Sequence, residues 1–301
     1  MKPTKSPAKG GKTPTHFKVT EPSELMKFLL ASLPHKSRDN VKSLLKNEQV
    51  RVDEEPQRQF NFPLEPGQTV SVVWEKPQEQ VVLRGLSIVF EDDAIIVIDK
   101  HAGLLSVATD SDPGGITAYR MLADHVKMED PDAKVFVVHR LDRDTSGLMM
   151  YAKSQDIQEI LQEDWKNTVI KRTYAALVEG KPKEIAGRIE SYLFEGPKMK
   201  VHSTQDPNRG GQWAVTDWEL LKTNGQYSLL KVELETGRKN QIRVHLSDLG
   251  HPIVGDKKYG ASGNPIARMG LHAMVLAFRH PVTGKSMHFE TSVPRKFLRL
   301  I

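Results

Sequence analysis

The sequence predicts an α/β protein of the α+β kind, in which a largely antiparallel mixed sheet with flanking helices follows a small N-terminal module. Three observations carry that expectation. Strand-like and helix-like segments alternate along the chain without a repeating unit. Neighbouring strand-like stretches, such as residues 86–90 and 95–98 around the acidic turn Glu91-Asp92-Asp93, stand too close together for helical crossovers. The 301 residues, 38% of them hydrophobic, suffice for one or two ordinary cores.

Taken in order, residues 1–18 mix Lys, Pro, Gly, Ser and Thr and read as a disordered basic arm. Lys2, Lys5, Lys9, Lys12 and Lys18 lie there without an acid and account for the whole net charge of +5. The remaining chain is balanced, so clusters of bases matter more than their total. Residues 19–76 form the small module. Leu25, Phe28, Leu29 and Leu33 recur on one helix face, and Pro34 stops the run. A second helix has Ser37 as its N-cap and Val41, Leu44 and Leu45 facing inward. Val50 with Val52 and Val70 with Val72 mark two strands, the second after the turn-forming Pro66-Gly67. Lys36, Arg38, Lys42, Lys46 and Arg51 outnumber Asp39 and Glu48, which suits a phosphate-tracking surface. A helical cap for the larger domain is the plainer reading.

Residues 77–301 form the larger domain. The apolar run 135–138 reads as a strand buried on both faces. Ile157, Ile160, Leu161 and Trp165 mark one face of an amphipathic helix, and residues 174–178 and 229–234 read as strands. Directly after the run 135–138 stands His139-Arg140-Leu141-Asp142-Arg143-Asp144-Thr145-Ser146-Gly147. A loop leaving a rigid central strand presents reactive groups in fixed positions, and an ionised carboxylate beside a guanidinium is a usable nucleophile. A solvated turn, a metal site using His139, Asp142 and Asp144, and a glycoside hydrolase pair formed by the two aspartates are the competing readings. Further on, Ile242, Leu246 and Leu249 with Gly250 and Pro252 favour a helix capped by Asn240, although alternation of Ile242, Val244 and Leu246 keeps a strand open. In the helix, Arg243 falls in the first turn and calls for an anion, which Asp142 would supply. Arg238, Lys239, Arg243, Lys257 and Lys258 against Asp248 and Asp256 make a second basic cluster. Tyr174 by itself reads as an ordinary half-buried strand aromatic.

Absent cysteine excludes thiolate metal sites, iron–sulfur clusters and thiol nucleophiles. No apolar run approaches the roughly 18 residues of a spanning helix, and the first residues carry no secretory stretch, so a cytoplasmic protein without a membrane partner is expected. A monomer is favoured.

Several blocks together resemble one family. HRLDRDTSGLMM is similar to the signature of the RluA-type pseudouridine synthases. EDDAIIVIDKHAGLLSV, KRTYAALVEG, TGRKNQIRVHLSDLGHPIVGDKKYG and LHAMVLAFRHPVTGK resemble further blocks of that family in the right order. The departures are Asn240 for a histidine, His101 for a proline, and Met149-Met150 for leucines. SRDNVKSLLKNEQVRVDEE resembles the S4-like RNA-binding domain, with Asp53-Glu54 in place of its usual Asn-Gly turn. The resemblance implies a cofactor-independent, metal-free isomerase that flips a uridine out of structured RNA and rebuilds it as pseudouridine. It implies Asp142 as nucleophile, Arg140 as the group that replaces the flipped base, Tyr174 packing on the base and assisting proton removal, Arg243 pairing with the nucleophile, and Leu271 lining the pocket. Large-subunit ribosomal RNA is the expected substrate, ahead of transfer RNA. A catalytically silent RNA-binding assembly factor is the rival of another class.

Overall fold

The computed structural model describes residues 14–47, 49–74, 83–109 and 114–301. The chain divides into two units, residues 1–80 and 81–301.

The first unit contains β1 (Thr15–Lys18), β2 (Ser23–Glu24), α1 (Leu25–Ser32), α2 (Arg38–Lys46), β3 (Val50–Val52), β4 (Glu55–Pro56), β5 (Pro63–Leu64) and β6 (Thr69–Val72). The helices form where apolar spacing and punctuation dictate. Leu25, Met26 and Leu29 of α1 are buried, and Val41, Leu44 and Leu45 of α2 meet them in one core with Val50, Val52, Val70 and Val72. The Ser37 hydroxyl caps α2 by accepting the Asn40 N–H at 3.3 Å. Four strands pair in the order β1-β6-β3-β4, and β2 pairs with β5.

One expectation is corrected here. The basic arm does not extend to residue 18: Thr15–Lys18 pairs antiparallel with β6, because the outer side of that strand offers unpaired backbone groups. Thr15 accepts a hydrogen bond from the Trp74 indole at 2.8 Å, and Phe17 packs on the core. Residues 1–13 lie outside the described residues, as does the expected boundary at residue 76. Asp53-Glu54 forms a tight turn although neither residue is glycine. Both adopt positive φ, 50° and 70°. The Asp53 carboxylate holds the turn by accepting the Thr69 N–H at 2.8 Å and the Gln68 amide at 2.9 Å.

The second unit runs β7 (Leu86–Glu91), β8 (Ile95–Lys100), α3 (Ala118–Lys127), β9 (Phe136–Val137), β10 (Ser146–Ala152), α4 (Gln155–Glu163), α5 (Trp165–Thr168), β11 (Val169–Glu179), β12 (Ala186–Glu195), β13 (Val201–Thr204), β14 (Gln212–Thr223), β15 (Tyr227–Leu234), α6 (Gln241–Asp248), β16 (Leu271–Arg279), β17 (Ser286–Glu290) and α7 (Arg295–Leu298). Strands β13-β12-β14-β15-β11-β16-β10-β8-β7 form one sheet, with β17 added beside β16 and β9 beside β10. The pairing is antiparallel except between β10 and β16, where Ser146 and Gly147 run parallel to His272 and Ala273. The α/β, mainly antiparallel class expected from the sequence is the class observed.

The strand buried along its whole length is β10, not the run 135–138. Every residue of β10 is buried, whereas Phe136 and Val137 are half-buried in a two-residue strand at its side. Period two divides β8 and β10 between two cores. Ile96, Ile98, Met149 and Tyr151 pack with Leu122 of α3 on one face. Ile95, Val97, Leu148 and Met150 pack with Leu161 of α4 on the other. The motif loop therefore leads into that fully buried strand instead of leaving it. The helix expected from Ile157 to Trp165 is likewise broken: α4 stops at Glu163, Ile160 is exposed, and Trp165 starts α5. Leu249, expected inside, caps α6 and is exposed. At Gly147, φ is 113° and a Cβ would lie 2.2 Å from the Ala273 carbonyl oxygen, so only glycine allows β10 to approach β16. Among the described residues no helix is long and apolar enough to cross a membrane.

Candidate active site

The loop from His139 to Thr145 is held from below by groups that leave Asp142 free to face outward. His139 Nε2 accepts the Met150 N–H at 3.1 Å and its ring packs on Trp165 at 5.2 Å. Burial, reinforced by the nearby Arg172 charge, pushes this imidazole down to about 3 and keeps it neutral. The Ser106 hydroxyl donates to the Leu141 carbonyl at 2.7 Å. Beneath the turn, the Lys100 ammonium donates to the carbonyls of Leu104, Arg143 and His101 at 2.7, 3.0 and 3.1 Å. Burial pulls Lys100 down to about 8 against the upward effect of Asp144 and Asp142.

Asp142 Oδ2 accepts from Arg243 Nη1 at 2.8 Å across 101 positions of sequence. Arg243 lies in the first turn of α6, where the helix dipole disfavours a cation, and two carboxylates compensate for it. Asp256, 2% exposed, receives Nε and Nη2 at 2.6 and 2.9 Å. Asn240 Oδ1 receives Nη1 at 3.1 Å, and the guanidinium lies 4.9 Å from the Tyr259 ring centroid. These contacts hold the Arg243 guanidinium strongly charged. Asn240 stands at the N-cap position, but its backbone is left-handed and its side chain caps no N–H. It is spent on Arg243 and on donating to the Tyr259 hydroxyl at 2.9 Å instead.

Tyr174 of β11, Leu271 at the start of β16, and Arg140 line one pocket with Asp142 and Arg243. Leu271 is buried and Arg140 exposed at the rim. Burial pushes the Tyr174 phenol above its ordinary range, Arg172 opposes this, and Asp142 adds to it. Arg238 lines the same pocket, its Nε donating to the Trp213 carbonyl at 3.1 Å. Lys257 and Lys258 do not line it: Lys258 donates to the Met199 carbonyl at 2.9 Å. Lys36, Arg38, Lys42 and Lys46 are exposed on the first unit, Lys36 at 5.4 Å from the Trp74 ring and Lys42 at 3.6 Å from Asp39.

The competing sequence readings find little here. Asp144 pairs with its exposed neighbour Arg143 at 3.2 Å and does not line the pocket with Asp142. Among the described residues no three His, Asp or Glu side chains are grouped to hold a metal ion. Sequence reasoning missed Asp256 and Lys100. Asp256 was counted only as a surface acid offsetting neighbouring lysines. Its one signal was the same first-turn argument that called for an anion near Arg243.

The RNA pseudouridylate synthase family matches residues 94–248, which include the motif loop, Tyr174 and Arg243. YjbO of Bacillus subtilis, an uncharacterized RNA pseudouridine synthase, is 38% identical over 216 residues, covering 72% of this chain and 75% of the relative. The chain belongs to the RNA pseudouridylate synthase family. Ribosomal large subunit pseudouridine synthase D of Neisseria meningitidis is 30% identical over 98% of this chain and 83% of its own. Among solved structures, human RNA pseudouridylate synthase domain containing 4 superposes with a TM-score of 0.58 at 25% identity, covering 70% of this chain and 90% of that one. The protein is thus an RNA pseudouridine synthase, an isomerase acting on RNA. Its pocket brings together one carboxylate, three guanidiniums, one phenol and an apolar wall.

Proposed function

We propose that Asp142 is the nucleophile of this pseudouridine synthase and that it acts on a uridine flipped out of structured RNA, with large-subunit ribosomal RNA as the substrate. The Asp142–Arg243 contact at the mouth of a pocket walled by Tyr174 and Leu271 carries this reading. A base inside a helical stack is out of reach of such a pocket, so the nucleotide swings out at a cost of a few kcal/mol, recovered in other RNA contacts. Arg140, exposed at the rim, takes the vacated place. Both ribose carbon one and uracil carbon six are electrophiles that Asp142 can attack. Cleavage of the N-glycosidic bond frees the uracil to rotate between Tyr174 and Leu271; carbon five then bonds to ribose carbon one, and the bond to Asp142 breaks to return its carboxylate. Burial keeps the Tyr174 phenol protonated, so it serves by packing on the ring and by orienting a water that removes the proton from carbon five.

The N-terminal unit is the S4-like RNA-binding module of this reading, with Lys36, Arg38, Lys42 and Lys46 tracking phosphates. The relatives named for the large ribosomal subunit support ribosomal RNA over transfer RNA. The direct test is Asp142→Asn, assayed for pseudouridine in ribosomal RNA. Loss of product with retained RNA binding is expected, and substantial product would remove Asp142 as nucleophile. Mapping the uridines that change on gene loss identifies the RNA.

A further inference from the structure

Several cations of the larger unit are paired with carboxylates. Arg188 meets Glu190, Asp217 and Glu235, Lys171 and Lys231 share Glu233, Lys239 meets Glu195, and Lys153 meets Glu91. Arg172 differs. It is half-buried, yet among the described residues it pairs with no carboxylate. Its contacts are two long hydrogen bonds to the carbonyls of Leu234 and Glu235, at 3.4 and 3.5 Å, and the Trp165 ring at 5.7 Å. Burial pulls this guanidinium below its ordinary range, so its charge is held at a cost. Gly237 makes room for it: a Cβ there would lie 2.6 Å from Arg172 Nη1.

Arg172 lines a groove of about 700 Å³ that shares Arg140, Tyr174, Leu234 and Arg238 with the pocket around Asp142. Arg140 and Arg238 also lack a carboxylate partner among the described residues. Three guanidiniums without a carboxylate partner among the described residues, Arg140, Arg172 and Arg238, therefore border the pocket and the groove that adjoins it.

We propose that this groove is a subsite for the RNA strand beside the flipped uridine, with Arg172 receiving the phosphate one or two linkages away. The inference rests on the assignment of the Asp142 pocket to the uridine. A phosphodiester fits because it is anionic and presents paired oxygens to a guanidinium fork. The strand enters past Arg140 and Arg238. Trp165, clamped between His139 and Arg172, holds the guanidinium without neutralising it.

The test uses the full-length protein and an RNA nonamer with one central uridine among cytidines, its binding followed by anisotropy at low salt. Neutral methylphosphonate is placed in turn at each linkage around the uridine. Wild type is expected to lose about tenfold in affinity or more at one linkage within two of the uridine, as one charge-assisted contact disappears. Arg172→Gln should bind more weakly and lose that sensitivity, with its salt slope flatter by about 0.7; Arg172→Lys should restore the slope. Gly237→Ala, which displaces the guanidinium without changing any charge, should reproduce the lost sensitivity. No binding, no sensitive linkage in wild type, or the same sensitive linkage in Arg172→Gln overturns the assignment. Pseudouridine formation is scored separately. A wild type that shows the sensitive linkage keeps the subsite, and an Asp142→Asn variant that still converts ribosomal RNA removes the catalytic reading.

Discussion

Replacing Asp256 with asparagine should impair the enzyme as much as a change in the pocket itself, although Asp256 is buried behind Arg243. The substitution keeps shape and removes the charge that receives Nε and Nη2 at 2.6 and 2.9 Å. Breaking a buried ion pair by removing one partner costs about 3–5 kcal/mol. Asp142 remains as a counter-ion, which places the loss near the lower end, at about 3 kcal/mol of stability. The freed fork then turns toward Asp142 and makes a second charge-assisted contact, worth about 1.5–3 kcal/mol. That contact must break before Asp142 attacks, so kcat should fall by about tenfold to a hundredfold. Single-turnover pseudouridine formation at saturating enzyme, with thermal unfolding and RNA affinity measured alongside, reads each part. RNA affinity should change little. Unaltered kcat together with an unaltered melting temperature would refute the view that Asp256 fixes the guanidinium.

Further outcomes follow from other contacts. Gly147→Ala places a methyl group 2.2 Å from the Ala273 carbonyl, in a backbone conformation open to glycine, and should destabilise the larger unit by more than about 3 kcal/mol; a melting temperature within a degree of wild type would contradict the close approach. Glu54→Gly relieves a left-handed residue at φ 70° and should stabilise the first unit by about 0.5–1 kcal/mol, read in denaturant unfolding. Burial depresses His139 to about 3 and His245 and His272 to about 4, so the unfolded chain takes up these protons first as pH falls through 6.5. Their stabilising effect is complete above pH 6.5 and drains away toward pH 4, at about 1.4 kcal/mol per pH unit from each. His245→Gln should flatten that slope between pH 6.5 and 4.5 by one proton, and an unchanged slope would mean that His245 does not titrate in this way.

Much of the local structure was legible because each element carries its own punctuation. Ser37 and the spacing of Val41, Leu44 and Leu45 mark α2, and Gly250 with Pro252 marks the end of α6. The approach of Arg243 to Asp142 was also legible, since a cation in a first helical turn calls for an anion. What failed depended on partners distant in sequence. Residues 135–138 and β10 are both apolar runs, and periodicity alone does not tell which one the sheet buries. Asp53-Glu54 forms its turn through contacts with Gln68 and Thr69, fifteen and sixteen residues on. Asp256 is read as a surface acid until the fold closes over it.

The single parallel pairing in the large sheet has a further consequence. Since β10 and β16 point the same way, their first residues lie side by side, and the segments entering them meet above one spot. Had these strands run oppositely, the start of one would sit beside the end of the other, about 20 Å away over seven residues. Asp142 and Leu271 would then face different rims of the sheet. Shared polarity at two residue pairs makes one reaction chamber out of segments 129 positions apart.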